Sequence, residues 1–159
     1  MKNSLPMLFT LALSMNAAAQ GKTPINLPEP VKAAFAKQFP KAEGAKWEME
    51  DTDLEAGFKM GGMKYSAVYT AEGKWMETEH KIKADALPEA VRKAIATTYA
   101  DHQVEGAEQV ERADGTFYEV DLEKGGTEIE VLFNADGKVL KSKVEEEDKD
   151  APGEDDDND

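Results

Sequence analysis

Polar and apolar residues along this chain follow two periods in turn, and the same succession occurs twice. Val31, Phe35 and Phe39 are spaced four apart, and so are Val91, Ile95 and Tyr99. That spacing gathers each trio on one stripe and predicts two helices, each with a single buried face. Pro28 and Pro88 precede the stripes, where a first helical turn loses nothing from a missing N–H. Pro40 cannot continue the backbone ladder and ends the first helix.

After each helix the period falls to two. Tyr118, Val120 and Leu122 alternate with Phe117, Glu119, Asp121 and Glu123; Ile129, Val131 and Phe133 alternate with Glu128, Glu130 and Leu132. Gly125-Gly126 and Asp136-Gly137 separate these runs, and a last strand is expected over 139–144. A shorter strand is expected over 107–112, ending at Asp114-Gly115. In the first half the strands fall at 46–50, 54–60, 64–70 and 74–80. Alternation broken by short glycine turns predicts an antiparallel meander with one face on a core and the other on water.

The halves also match residue by residue. Leu27-Pro28-Glu29-Pro30-Val31 returns as Leu87-Pro88-Glu89-Ala90-Val91, and Glu43-Gly44-Ala45 as Glu105-Gly106-Ala107. Gly61-Gly62 returns as Gly125-Gly126, and Ala71-Glu72-Gly73-Lys74 as Ala135-Asp136-Gly137-Lys138. The offset grows from 60 to 64 in small steps at loop positions, as expected of a duplication followed by loop insertions. The expected fold class is α+β: a tandem repeat of helix plus four-stranded antiparallel meander, with residues 27–83 and 84–144 as the two units. Two helices are too few to cover both faces of such a sheet, so both are expected on one face, leaving the other open.

The termini read differently. Residues 1–19 join a weakly basic start to a short apolar run and then to Ala17-Ala18-Ala19, the pattern of a cleavable signal peptide. The run is too short to span a bilayer, so no membrane span is expected after cleavage. A periplasmic or secreted destination follows. Residues 20–26 read as a linker. Residues 145–159 hold ten acids and one lysine with no apolar period, and read as a disordered acidic tail. That tail accounts for most of the chain's net charge of −14, leaving −6 for residues 20–144. Even so, the domain repels phosphate backbones, which argues against nucleic acid as a partner. Cysteine is absent, which excludes disulfides, thiol catalysis and cysteine-bound zinc.

The stretches LPEPVKAAFAKQFPKAEGAKWE and YEVDLEKGGTEIEVLFNADGKVLK resemble the PepSY-like family of bacterial periplasmic proteins, which share the fold of the β-lactamase inhibitory protein. The resemblance covers residues 27–144. It implies a tandem α+β module that binds a protein or peptide, with inhibition as the sharper version and a calcium response as an alternative. It carries no catalytic residue across.

The candidate chemistry is sparse. After residue 20 the chain has two serines, Ser66 and Ser142, and two histidines, His80 and His102, in no hydrolase or zinc-site spacing. No enzyme activity and no resident cofactor are therefore expected. Asp51 and Asp53 could contribute to a calcium site or simply shape a turn. Glu119, Asp121, Glu128 and Glu130 fall on the outer face of two adjoining strands beside Phe117. They read either as a patch for a cationic partner or as a solvated face. Trp47 and Trp75 sit beside turns, where register is not fixed. They are binding anchors if they face outward and core if they do not. Partner identity and oligomeric state are not encoded in any of these patterns.

Overall fold

The structure, a computed structural model, describes residues 25–145. The expected signal peptide, most of the linker and the tail beyond Glu145 lie outside the described residues.

A helix, α1 (Glu29–Gln38), is followed by β1 (Glu43–Glu50), β2 (Asp53–Met60), β3 (Met63–Tyr69) and β4 (Trp75–Lys81). A single 3-10 turn at Ala84–Ala86 leads to α2 (Glu89–Thr98), then β5 (Gln103–Arg112), β6 (Gly115–Lys124), β7 (Thr127–Asn134) and β8 (Val139–Glu145). All eight strands form one sheet in sequence order, each antiparallel to its neighbours. The fold is α+β, with two helices and an eight-stranded antiparallel open sheet.

Both helices start as the prolines dictate. Pro28 and Pro88 are the extended residues before the first helical turn, and Phe39 and Tyr99 close the helices by donating their backbone N–H to Phe35 and Ile95. The Val31, Phe35 and Phe39 stripe packs on Leu54, Ala56, Phe58, Ala67 and Tyr69. The Val91, Ile95 and Tyr99 stripe packs on Ala107, Val120, Leu122, Val131 and Phe133. Cross-strand pairs share a face, and the chain of pairs Ala67–Thr78, Thr78–Glu111 and Glu111–Thr116 links the two clusters through the middle of the sheet. Both helices therefore cover the same side. Each buried side chain of this size contributes about 1.5–3 kcal/mol by leaving water.

The two cores differ in kind. Under α1 the Phe35 ring meets Trp47 and Phe58 at 5.1 Å each and Tyr69 at 6.3 Å. Under α2 the core is mainly aliphatic, with Tyr99 against Phe133 at 6.4 Å.

Turn chemistry follows the glycines. Gly61-Gly62 and Gly125-Gly126 adopt positive φ at both positions, the pattern of a two-residue hairpin whose twist matches its strands. Two strands start well before the expectation, and the others differ from it by small margins. β5 begins at Gln103, not at 107, because a bulge between Val104 and Gly106 lets the strand keep pairing with β6. β1 starts at Glu43 for the same reason, with its bulge at Gly44 (φ 64°). β8 runs one residue past its expected end, so Glu145 is the last residue of the sheet and not the first of the tail.

Candidate partner-binding face

The side of the sheet away from the helices carries alternate residues of every strand. Its rows can be read across the strands from the register. One row runs Glu48, Glu55, Val68, Glu77, Arg112. The next runs Lys46, Gly57, Ser66, Glu79, Val110, Phe117, Asn134. A third runs Lys81, Glu108, Glu119, Leu132, Lys141, and a fourth Gly106, Asp121, Glu130, Lys143.

The middle of this face is buried although no helix covers it. Val68, Val110 and Leu132 are at most 1% exposed, and each lies between longer side chains in its row. Glu55, Glu77, Glu79, Glu119 and Glu130 are all at least nine-tenths buried. The solvated face expected for Glu119 and Glu130 is thus corrected. Flanked by paired strands on both sides, these carboxyls shield one another from water.

Burial and crowding set their electrostatics. Glu119 stands opposite Glu108, and Asp121 opposite Glu130. Desolvation first, and then the charges of Glu79, Glu130, Glu108 and Asp121, hold the Glu119 carboxyl well above the usual carboxylate range. Desolvation also raises Glu55, opposed by a hydrogen bond from Ser66 and reinforced by the charges of Glu48, Glu77 and Glu108. Glu108 is raised by desolvation against the pull of Lys81, whose ammonium lies 3.9 Å away. Glu77 is raised by desolvation even though Arg112 Nε donates to it at 2.6 Å. Arg112 also lies over the Phe117 ring, 5.4 Å from its centre, which places one guanidinium between a carboxylate and an aromatic face.

Asp121 packs so closely over β5 that a Cβ at Gly106 would collide with its carboxylate. Gly106 therefore makes room for an acid, which explains why this bulge holds a residue without a side chain.

Of the residues singled out in the sequence, Phe117, Glu119, Asp121 and Glu130 lie together on this face. Glu128 stands opposite Glu123 at its end and is exposed. Trp47 and Trp75 lie on the other side: both pack against the α1 core, and the Trp75 indole N–H donates to Thr78 Oγ1 at 2.9 Å. Asp51 sits in the β1–β2 turn with φ 51°, and Asp53 follows it. The Asp53 carboxyl is raised by burial, then by Glu72 and Asp51. Among the described residues, no group of three or more His, Cys, Asp or Glu side chains is arranged to hold a metal ion.

Glu55, Glu77, Glu79, Glu108 and Arg112 were not singled out. The internal offset of 64 carries Glu119 onto Glu55, so that position was within reach of the repeat. The others required the register between β4 and β5, where the two halves join and no repeat can be consulted.

Two helices backing one side of an eight-stranded antiparallel sheet, with the other side finished by side chains alone, define the class of this protein. The chain matches over residues 52–141 the family described as "Putative beta-lactamase-inhibitor-like, PepSY-like", and it belongs to that family. It is similar in fold to a BLIP-like protein of Bacteroides fragilis NCTC 9343, with a TM-score of 0.67 at 24% identity over 82% of this chain and 94% of that one. A DUF2874 family protein of Bacteroides ovatus ATCC 8483 has a TM-score of 0.68 at 25% identity, over 78% and 89%. A structure from Bacteroides eggerthii DSM 20697, described as "putative periplasmic proteins", has a TM-score of 0.67 at 24% identity, over 74% and 88%. No curated protein matches the chain. No described helix is long and apolar enough to cross a membrane.

Proposed function

We propose that this protein is an exported, non-catalytic binding module, built by duplication of a helix and four strands, that holds a protein or peptide partner on its open sheet face. One observation carries the reading: the helix-free face sets half-buried Phe117, above buried Val110 and Leu132, among crowded carboxyls, with Arg112 at the end of β5 over its ring. Desolvation and crowding hold these acids toward the neutral form, and a cation favours their charged form, so the partner presents lysine or arginine beside an apolar contact. A cationic group entering this face would lower the carboxyl pKa values and release protons.

The absence of catalysis is supported by the sheet itself. Ser66 faces the open side, whereas His80 pairs with Gln109 on the helix side, so backbone separates them. Inhibition is the sharper version of the same reading: the face covers a partner's site without reacting. Export and a periplasmic address are supported by the leader pattern and by the description of the Bacteroides eggerthii relative.

The test is capture from periplasmic extract, comparing the wild-type chain with Phe117→Glu. A partner held by the wild type and lost by the variant supports the face. Equal capture by both moves binding elsewhere, and repeated failure to capture anything removes the protein-binding reading.

A further inference from the structure

The two halves differ in side chains at a place where their backbones agree. α1 and α2 have the same length and start 60 residues apart. Each is followed by the same turn, in which Ala42 N–H donates to the Phe39 oxygen and His102 N–H to the Tyr99 oxygen. The offset of 60 therefore pairs the halves residue by residue through helix and turn. In the first half Ile25, Phe35, Phe39 and Ala42 all pack against the α1 core. The matching residues of the second half are Asp85, Ile95, Tyr99 and His102. An acid stands in place of isoleucine, and isoleucine in place of phenylalanine. The other two positions carry a hydroxyl and an imidazole.

Where these exchanges fall, the structure has a groove of about 490 Å³. It lies between the 3-10 turn at Ala84–Ala86, one side of α2 and the start of β5. Leu87, Ile95, Tyr99 and Val104 give it an apolar lining, and Arg92 and His102 bring nitrogen donors to it. Small-molecule sites of this kind occupy roughly 300–1,000 Å³, with a few polar groups set in an apolar wall.

The cations of the two helices are also used differently. Lys32 on α1 is paired with Glu29 at 2.7 Å. Arg92, which matches Lys32, instead donates from Nη1 to the main-chain oxygen of Asp85 at 3.0 Å. Among the described residues, no carboxylate lies within ion-pair distance of its guanidinium. One arm of the guanidinium is thus fixed by backbone, and its other N–H groups are open to a ligand. The Tyr99 ring meets His102 edge-on at 5.5 Å. His102 Nδ1 is enclosed without a hydrogen-bond partner, so Nε2 is the ring nitrogen left to meet a ligand. A held guanidinium and an imidazole beside an apolar lining suit a carboxylate on an apolar body. Asp85 is exposed on the same rim and disfavours a second negative charge.

We propose that this groove is a second binding site, separate from the open sheet face, for a small apolar monocarboxylate such as a medium-chain fatty acid. Arg92 and His102 hold the carboxylate, and the chain leaves water against Leu87, Ile95 and Val104.

The experiment is titration of the ¹⁵N-labelled chain, purified after export, with octanoate, and separately with octanol and octylamine. Octanoate is expected to shift the amide signals of Tyr99, His102 and Val104 saturably, while those of Trp47 and Glu119 stay in place. Octanol and octylamine are expected to bind at least tenfold more weakly. Arg92→Gln should weaken octanoate about tenfold, the loss of one charge-assisted hydrogen bond. Ala96→Leu, at an exposed helical position on the groove, should weaken it at least as much by filling the space. Circular dichroism checks that both variants fold; if Ala96→Leu does not, Ala100→Leu on the same groove replaces it. Octanoate that leaves the three groove amides unmoved overturns the proposal, and so does octanoate that shifts Trp47 and Glu119 equally. Octanol or octylamine binding as tightly as octanoate removes the carboxylate assignment and with it the proposal. Folded variants that bind octanoate as the wild type does overturn it as well.

Discussion

Arg112 Nε lies 2.6 Å from Glu77 Oε2, with the two side chains 15% and 4% exposed. The pair bridges β4 and β5, the seam at which the first four strands meet the last four. Removing one member leaves the other buried without compensation, which costs far more than the pair's net worth. Arg112→Met is expected to lower stability by about 3 kcal/mol at pH 7 in urea titration. The loss should shrink at pH 5, because a Glu77 carboxyl already raised by desolvation then takes up a proton more readily. An equal loss at both pH values would mean that the guanidinium acts through packing alone.

The raised acids give an unusual dependence on pH. Glu119, Glu55 and Glu108 each have a folded pKa above the unfolded one. Such groups bind more protons folded than unfolded, so their stabilising contribution is complete below the unfolded carboxylate pKa and is lost as pH rises through the folded value. The melting temperature is therefore expected to be higher at pH 5.5 than at pH 8. Glu119→Gln removes the most strongly raised group, and should add ~1–2 kcal/mol at pH 8 while flattening the profile. A wild-type melting temperature that climbs steadily from pH 5.5 to pH 8 would contradict this account.

Glycines with similar backbone angles carry different loads. A Cβ on Gly137 (φ 78°) would collide with the Ala90 carbonyl oxygen, and one on Gly73 (φ 83°) would stand 2.6 Å from that of Pro30. In both halves a hairpin glycine thus presses on the first turn of the helix. Gly125 (φ 62°) has open space around it. Gly125→Ala is expected to cost about 1 kcal/mol from backbone strain alone. Gly137→Ala should cost at least twice that, since helix backbone must move as well. Thermal or urea unfolding of the two variants side by side measures the difference. Equal losses would show that the close approach relaxes freely.

That comparison also shows how far the sequence could be read. The return of Ala71-Glu72-Gly73-Lys74 as Ala135-Asp136-Gly137-Lys138 located both hairpins, and the four-residue spacing of Val31, Phe35 and Phe39 and of Val91, Ile95 and Tyr99 located both helices and their buried faces. These signals are local, carried by turn chemistry and periodicity within one element. What the helix does to Gly137 is not local, and nothing in the recurrence marks it. The acidic face divides along the same line. Glu119, Asp121, Glu128 and Glu130 were visible because one hairpin joins them. Glu77, Glu79 and Arg112 enter only when β4 pairs with β5 across the intervening helix. Burial of the carboxyls was misjudged because alternation reports which face a residue takes, not how tightly eight strands crowd it.

The two tryptophans offer a direct check on which side the partner occupies. Trp47 and Trp75 both pack on the helix side, in the α1 core. The indole of Trp75 is tied to Thr78. Emission and iodide quenching should therefore stay nearly constant when a cationic partner binds the open face. Association itself should weaken as salt rises from 50 to 500 mM, since charges near a surface are screened over about 10 Å at 0.1 M. Phe117→Glu should weaken binding, through loss of the apolar contact, while leaving both tryptophan signals as they were. A partner that shifts tryptophan emission and ignores Phe117→Glu would instead be using the helix side.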